Sequence, residues 1–127
     1  MTHPLVTRLS EELGWPRFAD MASLTEWVER PGAHVLFLPG VQRWNLEGPD
    51  VAVILPELAI AFQRQFDCAV VGDEIEEAVR EKTQIFKTPS LIIYRDGECV
   101  GGIPKVRDWD DYITRMTHFL SAPIAAE

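Results

Sequence analysis

Cysteine is nearly absent from this chain of 127 residues. The two thiols, Cys68 and Cys99, lie far apart in the sequence and form no short motif. Dithiol redox enzymes commonly use two cysteines separated by two residues, and the sequence contains no such pair. The histidines, His3, His34 and His118, are equally scattered and show no metal-ligand spacing. We therefore expect neither a metal site nor a cofactor.

Basic residues are also few. Lysine and arginine total 12 against 20 aspartates and glutamates, which gives a net charge of −8 and a pI near 4.8. Binding to nucleic acid or to an anionic membrane requires clustered basic residues that neutralise phosphate, so the charge argues against both partners. It suits a basic partner such as a positively charged peptide, although solubility alone accounts for it equally well.

Long apolar runs are missing as well. No stretch approaches the about 18 to 20 apolar residues that span a bilayer. Residues 1–4 have neither a basic nor an apolar signal region, so we expect no secretion signal, no membrane insertion and a cytoplasmic location. The length and the hydrophobic content of 46% indicate one domain over residues 1–120, followed by a frayed tail at 121–127.

Apolar periodicity predicts helices and strands that alternate along most of the chain. A helix is expected where apolar residues recur every three or four positions, and a strand where a short apolar run lies between turn residues. The predicted helices are 4–14, 24–30, 51–66, 73–84 and 108–120, and the predicted strands are 16–20, 34–38, 68–72, 90–94 and 98–103. This order predicts a mixed sheet covered by helices.

Local signals add detail to these elements. Ser23 followed by Glu26 is a capping box, which predicts that the second helix begins there. Pro56 inside the third helix removes a backbone donor and should kink that helix. Asp96-Gly97 is a strong signal for a two-residue hairpin turn between the last two strands. The tryptophans predicted to be buried are Trp15, Trp27 and Trp109.

This arrangement resembles thioredoxin along most of its length. The likeness rests on the element order, on Pro56 within a helix, on Thr88-Pro89 before a strand and on the Asp96-Gly97 hairpin. It implies an α/β thioredoxin-like fold, with a mixed central β-sheet flanked by helices on both faces and an extra short N-terminal helix. It also implies a cis peptide bond between Thr88 and Pro89, a bond that is rare outside constrained turns.

The residues that carry thioredoxin chemistry are missing. Where thioredoxins have Cys-x-x-Cys, this chain has Gly48-Pro49-Asp50-Val51, so thiol–disulfide exchange at this position is chemically impossible. The strand 34–38 also lacks the buried carboxylate that assists proton movement in thioredoxins. We therefore expect a degenerate site without catalytic residues.

Cys68 and Cys99 do not replace the missing pair. In the thioredoxin strand order they fall on the third and fifth strands with two strands between them, roughly 14 Å apart at ~4.8 Å per strand. A disulfide requires Cα atoms within about 7 Å of each other, which favours packing roles for both thiols. A thiol-dependent redox enzyme using Cys68 or Cys99 stays the alternative from the enzyme class.

A narrower resemblance rests on three segments: Leu-Pro-Gly at 38–40, the cysteine-free 48–50 and Phe-Lys-Thr-Pro-Ser-Leu at 86–91. Here the chain is similar to hydrogenase expression/formation proteins of the HupG/HyaE/HoxO type, thioredoxin-like accessory proteins of [NiFe] hydrogenases. The resemblance implies a non-catalytic chaperone that binds the small-subunit precursor and its twin-arginine signal peptide and delays export until assembly is complete. A structural adaptor for the folded hydrogenase or for another maturation protein is a further alternative.

Two surfaces are candidates for binding this partner. One is an acidic helix face, since arginine forks pair bidentately with carboxylates, although such a face is more often simply solvated. The other is a shallow groove for an extended peptide, formed by Trp44 in the loop 39–49 with Thr88 and Pro89. A loop tryptophan folds over the core equally often. The acidic residues are Asp73, Glu74, Glu76, Glu77 and Glu81.

Overall fold

A mixed five-stranded sheet forms the centre of the computed structural model, which describes residues 9, 11, 13–40, 48–63, 65–105 and 107–121. Its strands are β1 (Arg17–Phe18), β2 (Ala33–Leu38), β3 (Phe66–Val71), β4 (Ser90–Arg95) and β5 (Glu98–Pro104). The strand order is β1-β3-β2-β4-β5. Strands β1, β3 and β2 are parallel, whereas β4 is antiparallel to β2 and β5 to β4. The predicted mixed sheet is confirmed.

Helices cover both faces of this sheet. Over the described residues they are α1 (Met21–Val28), α2 (Gly48–Ala61), α3 (Glu76–Thr83), which follows a 3-10 turn at Asp73–Ile75, and α4 (Trp109–Ser121). Leu9 and Glu11 are helical, whereas residues 4–8, 10 and 12 of the predicted N-terminal helix lie outside the described residues. Residues 122–127 of the predicted tail lie outside them as well. No helix in the described ranges combines the length and the apolar character that crossing a bilayer requires.

Alternation along β2 places successive side chains in two separate cores. Val35 and Phe37 contact the first core, under α2 and α4, whereas Leu36 and Leu38 contact the second core, under α1 and α3. All four side chains are fully buried. Because both faces of β2 are covered, its sequence is a continuous apolar run rather than an alternating pattern.

The start of α1 differs from the predicted capping box. Asp20 is the N-cap, and its Oδ2 accepts a hydrogen bond from the backbone N–H of Ser23 at 2.9 Å. Ser23 lies inside the first turn, so the prediction that it caps the helix is wrong. The physical reason is that Met21 packs against the second core and Asp20 supplies an acceptor, which together let the helix begin one turn earlier.

Replacing Asp20 with alanine is expected to lower the free energy of unfolding by about 1 kcal/mol, because the Ser23 N–H loses its acceptor. Ser23→Ala is the matched control and should change the stability by less than about 0.5 kcal/mol. Urea denaturation followed by circular dichroism measures both values. A larger loss for Ser23→Ala than for Asp20→Ala would contradict the observed cap.

Helix α2 begins and ends earlier than predicted. It comprises Gly48–Ala61 instead of 51–66. Gln63 has a φ of 54°, in the left-handed region, which turns the chain away from the helical path. Phe66 belongs to β3, where strand pairing holds it in an extended conformation. Pro56 lies inside the helix, as predicted.

One of the three tryptophans predicted to be buried is exposed. Trp27 is buried in the second core and Trp15 is half-buried against the first, but Trp109 is 44% exposed. Trp109 is the first residue of α4, and the buried stripe of that helix begins only at Tyr112. The predicted helix is therefore present, but Trp109, at its start, lies beyond the edge of the core.

The hairpin between β4 and β5 turns at Asp96-Gly97, as predicted. Both residues have positive φ, 50° and 86°, as a type I′ turn requires. The Asp96 carboxylate accepts a hydrogen bond from the Gly32 N–H at 2.8 Å, and the Asp96 N–H donates to the Gly32 carbonyl at 2.9 Å. These two bonds hold the turn against the segment that precedes β2.

Candidate functional site

Several predicted site residues lie at one end of the sheet, where the parallel strands β2 and β3 end. Leu38 of β2 pairs with Ser90 of β4, so Thr88 and Pro89 lie close to the end of β2. The Thr88–Pro89 peptide bond is cis, as predicted. Helix α2 connects the end of β2 to the parallel strand β3, which places the first turn of α2 at this end too. We call residues 39–40, 48–51, 73–76 and 88–89 the degenerate-site end.

The first turn of α2 contains residues 48–51, the position of Cys-x-x-Cys in thioredoxins. Val51 occupies the position of the second cysteine and is buried in the first core, so this position contributes to packing. Asp50 is exposed in the first turn, where a carboxylate interacts favourably with the helix dipole. Trp44, which was predicted to form a groove here, lies at 41–47, outside the described residues.

Glu76 is buried rather than exposed. Only 5% of it is accessible, and its Oε1 accepts a hydrogen bond from the Gly40 N–H at 2.7 Å. It joins the start of α3 to the segment after β2, so its predicted place on an acidic surface is wrong. The sequence held a signal for this, since Glu76 precedes the buried Val79 by one helical turn and lies on the same stripe of α3.

Burial raises the pKa of the Glu76 carboxyl above its ordinary value, and the nearby Asp73 charge acts in the same direction. The hydrogen bond from Gly40 and the Arg80 guanidinium lower this pKa, but the loss of hydration is the largest effect. The central strand β2 lacks a buried carboxylate, yet this end of the sheet has one, which α3 contributes.

The other four acidic candidates are exposed. Glu74 forms an ion pair with Arg17 of β1, at 2.8 Å between Oε1 and Nη2, and this hydrogen-bonded contact lowers the pKa of Glu74. Asp73, Glu77 and Glu81 form no ion pair with any residue that the structure describes. Asp73 belongs to the 3-10 turn that precedes α3, and the other two belong to α3 itself. These three carboxylates, which we call the acidic face of α3, are the ones available to a partner.

Two basic side chains also belong to α3. Lys82 donates a hydrogen bond to Oγ1 of Thr25 in α1 at 3.1 Å. Arg80 is half-buried and its charge acts on the buried Glu76. Both cations are engaged with neighbouring groups, so they weaken the negative field of the acidic face without removing it.

An exposed apolar surface that the sequence analysis did not single out follows α3 directly. Phe86 is 56% exposed and borders a depression of about 390 Å³ with Ile85, Lys87 and Pro104. It lies two residues before Thr88, next to the cis peptide bond. The sequence did contain a signal for this surface. Phe86 is an aromatic residue in a segment with neither helical nor strand periodicity, so no predicted core-facing position accounts for it.

The two cysteines are free and lie on different strands. Cys68 of β3 is buried in the first core, and burial raises the pKa of its thiol. Cys99 belongs to the edge strand β5, and β2 and β4 lie between the two positions, as predicted. A raised thiol pKa disfavours the thiolate, which is the nucleophilic form of cysteine.

A sequence profile described as Hydrogenase-1 expression protein HyaE matches residues 5–112. The chain belongs to the HyaE family. It is 60% identical over 121 residues to the hydrogenase expression/formation protein HupG of Rhodobacter capsulatus, an alignment that covers 95% of this chain and 88% of the relative. The resemblance to hydrogenase expression/formation proteins is therefore confirmed.

Solved structures establish the fold of this HyaE family member. A crystal structure of a hydrogenase expression/formation protein HupG from Rhodopseudomonas palustris matches with a TM-score of 0.59 and 28% identity, covering 84% of this chain and 95% of that one. The oxidised thioredoxin of Plasmodium falciparum matches with a TM-score of 0.64 and 15% identity, covering 84% and 99%. The fold is thioredoxin-like, as predicted.

Proposed function

We propose that this protein is a non-catalytic chaperone of [NiFe] hydrogenase maturation. It binds the small-subunit precursor and its twin-arginine signal peptide in the cytoplasm and delays export until assembly is complete. One observation carries the proposal: a chain of the HyaE family has a thioredoxin-like fold in which the position of the second thiol is a buried valine. The scaffold retains a surface for polypeptides without the sulfur that would react with them.

The acidic face of α3 supports recognition of the arginine pair. A guanidinium donates two parallel hydrogen bonds to one carboxylate, and Asp73, Glu77 and Glu81 are exposed on the same short segment. The net charge of −8 also raises the rate at which a cationic peptide encounters the protein. Exposed ion pairs contribute only about 0 to 1 kcal/mol each, so three carboxylates do not account for tight binding by themselves.

An apolar contact beside the acidic face supplies the missing part of the affinity. Phe86 follows α3 by three residues and is more than half exposed next to Thr88-Pro89. Aromatic side chains that become buried on binding contribute far more than exposed ion pairs. Phe86 and the acidic face of α3 therefore offer one apolar contact and three carboxylates to an extended basic peptide.

The surroundings of the two cysteines favour this proposal over a thiol-dependent enzyme. Reactive cysteines are partly exposed and have a lowered pKa, because a nearby cation or a helix N-terminus stabilises the thiolate. Cys68 has the opposite environment, a buried apolar one that raises its pKa. Substituting serine at both Cys68 and Cys99 should leave binding of the precursor intact, and insulin reduction by the wild-type protein should stay at the uncatalysed rate.

Calorimetry with a synthetic small-subunit signal peptide tests the proposal. The wild-type protein is expected to bind this peptide, and replacing both arginines with glutamine should weaken binding by about tenfold at low salt, since about 1.4 kcal/mol corresponds to a factor of ten. Asp73→Asn, Glu77→Gln and Glu81→Gln together should cause a similar loss. Asp110→Asn, Glu57→Gln and Glu98→Gln remove the same charges from exposed positions elsewhere and should change affinity by less than threefold.

Three outcomes would contradict parts of this proposal. Absence of binding to both the peptide and the full precursor would contradict the whole proposal. Equal affinity for the arginine and glutamine peptides at low salt would contradict recognition of the arginines by the acidic face. Equal co-purification with the precursor and with a small subunit lacking its signal peptide would replace signal recognition with the adaptor function.

A further inference from the structure

A groove lies at the opposite end of the sheet from the degenerate-site end. It has a volume of about 590 Å³ and is bordered by α1, the second half of α2 and the first residues of β3. Its walls include the rings of Trp15, Trp27 and Phe66, and its rim includes Leu13 and Ile60, which are 39% and 58% exposed. A concave surface of several hundred cubic ångströms with aromatic walls has the properties of a binding site.

The described part of the groove lining has one charged side chain, the carboxylate of Asp67. The Asp67 side chain is 73% exposed and belongs to the groove lining, which contains no lysine or arginine among the described residues. The His34 ring, 3.7 Å from the Asp67 carboxylate, is buried in the protein and not presented to an occupant. The groove therefore favours an apolar occupant with a cation next to it and disfavours an acidic one.

The chain connects the groove lining directly to a residue that contacts the segment before α3. Trp15 and Pro16 line it, and the next residue, Arg17, binds Glu74 next to Asp73. Asp67 belongs to β3, and Asp73 follows the end of this strand by two residues. The two aspartates are six residues apart in the chain, and six extended residues cover roughly 20 Å. A polypeptide in the groove reaches the acidic face with about six extended residues.

We infer that this groove binds the apolar segment of the signal peptide, while the arginines that precede the segment lie at the acidic face of α3. A signal peptide has a positively charged region followed by roughly 7–15 apolar residues. This order matches an apolar groove that has the Asp67 carboxylate in its lining and the acidic face of α3 about six extended residues away. The inference rests on the proposed function and adds to it the site of the apolar segment. That site is separate from the position of the lost thiols.

Two variants of exposed residues on α2 test the groove directly. Ile60→Glu places a carboxylate on its rim and is expected to weaken binding of the synthetic signal peptide about tenfold or more, because the segment loses an apolar contact. Val53→Glu is the matched control. Val53 is 46% exposed on the same helix two turns earlier and does not line the groove, so binding should change by less than about twofold. Circular dichroism establishes that both variants are folded.

Two further experiments test the groove with the wild-type protein, one by changing the peptide and one by following tryptophan signals. A peptide that keeps both arginines but has serine in place of each apolar residue of the segment should bind the wild-type protein at least about tenfold more weakly. In nuclear magnetic resonance titrations with the native peptide, the indole N–H signals of Trp15 and Trp27 should shift, whereas that of Trp109 on α4 should not. Single Trp→Phe variants assign these signals.

The outcomes separate this inference from the proposed function. If the wild-type protein binds neither the precursor nor the peptide, both fail together. If it binds the peptide, but Ile60→Glu and Val53→Glu bind equally well and the Trp15 and Trp27 signals do not move, only the groove inference is overturned. If the wild-type protein self-associates in sedimentation experiments and Ile60→Glu abolishes this, the groove is an interface between copies of the chain, which also overturns the inference.

Discussion

Replacing Tyr112 with alanine is expected to lower the free energy of unfolding by about 3–5 kcal/mol. Tyr112 is fully buried in the first core, where α4 packs on the sheet, so the change removes a whole ring and leaves a cavity. Domains of this size are stable by only about 5–15 kcal/mol, and a substantial unfolded fraction is expected in mild denaturant. Urea denaturation followed by circular dichroism measures the loss.

The hydroxyl group of Tyr112 makes a smaller contribution. It accepts a hydrogen bond from the Arg107 N–H at 3.3 Å and donates one to the Lys105 carbonyl at 3.2 Å, which joins the segment between β5 and α4 to the core. Tyr112→Phe keeps the ring and should lower stability by about 1 kcal/mol. Thr114→Ala, an exposed substitution on the same helix, should change it by less than about 0.5 kcal/mol. Equal losses for Tyr112→Phe and Tyr112→Ala would show that the hydroxyl, rather than the packed ring, stabilises this region.

The parts of the fold that the sequence predicted are those with a local cause. Asp96-Gly97 can adopt two successive positive φ angles, so the turn follows from the dipeptide itself. The apolar run of β2 predicted a strand that is covered on both faces, as observed. The start of α1 could not be predicted in the same way, because Asp20 and Ser23 are both good caps and packing of Met21 decides between them.

The candidate site was less predictable, because burial depends on the whole fold. The spacing of the acidic residues indicated a helix, but it did not show that Glu76 would receive a hydrogen bond from Gly40, which is distant in the sequence. The groove is assembled from residues 13–16, 27, 56–60 and 66–68, and none of these segments forms a motif alone. The predicted partner-binding roles of the acidic face and of Thr88 and Pro89 stay predictions.

Glu76→Ala is expected to be less stable than Glu76→Gln by about 1–3 kcal/mol, because only alanine removes the acceptor of the buried Gly40 N–H. Glutamine keeps an oxygen at the same position and removes the charge. At neutral pH, Glu76→Gln should therefore be at least as stable as the wild-type protein, since it avoids the cost of a buried carboxylate. Urea denaturation of the three proteins at one pH measures the two differences.

The pH dependence of the same variants tests the cause of the raised Glu76 pKa. A raised folded-state pKa means that the folded protein binds this proton more tightly than the unfolded chain does. The contribution of Glu76 to the free energy of unfolding is therefore fully present below the ordinary carboxyl pKa and is lost as pH rises through the folded-state pKa. The wild-type protein should lose stability relative to Glu76→Gln as pH rises from about 4 towards neutrality. Glu74, whose pKa is lowered, acts with the opposite sign but is present in both proteins, so its effect cancels in the difference. Parallel pH profiles would mean that the Glu76 carboxylate keeps its hydration, and would contradict its role as the buried acid that links α3 to the end of β2.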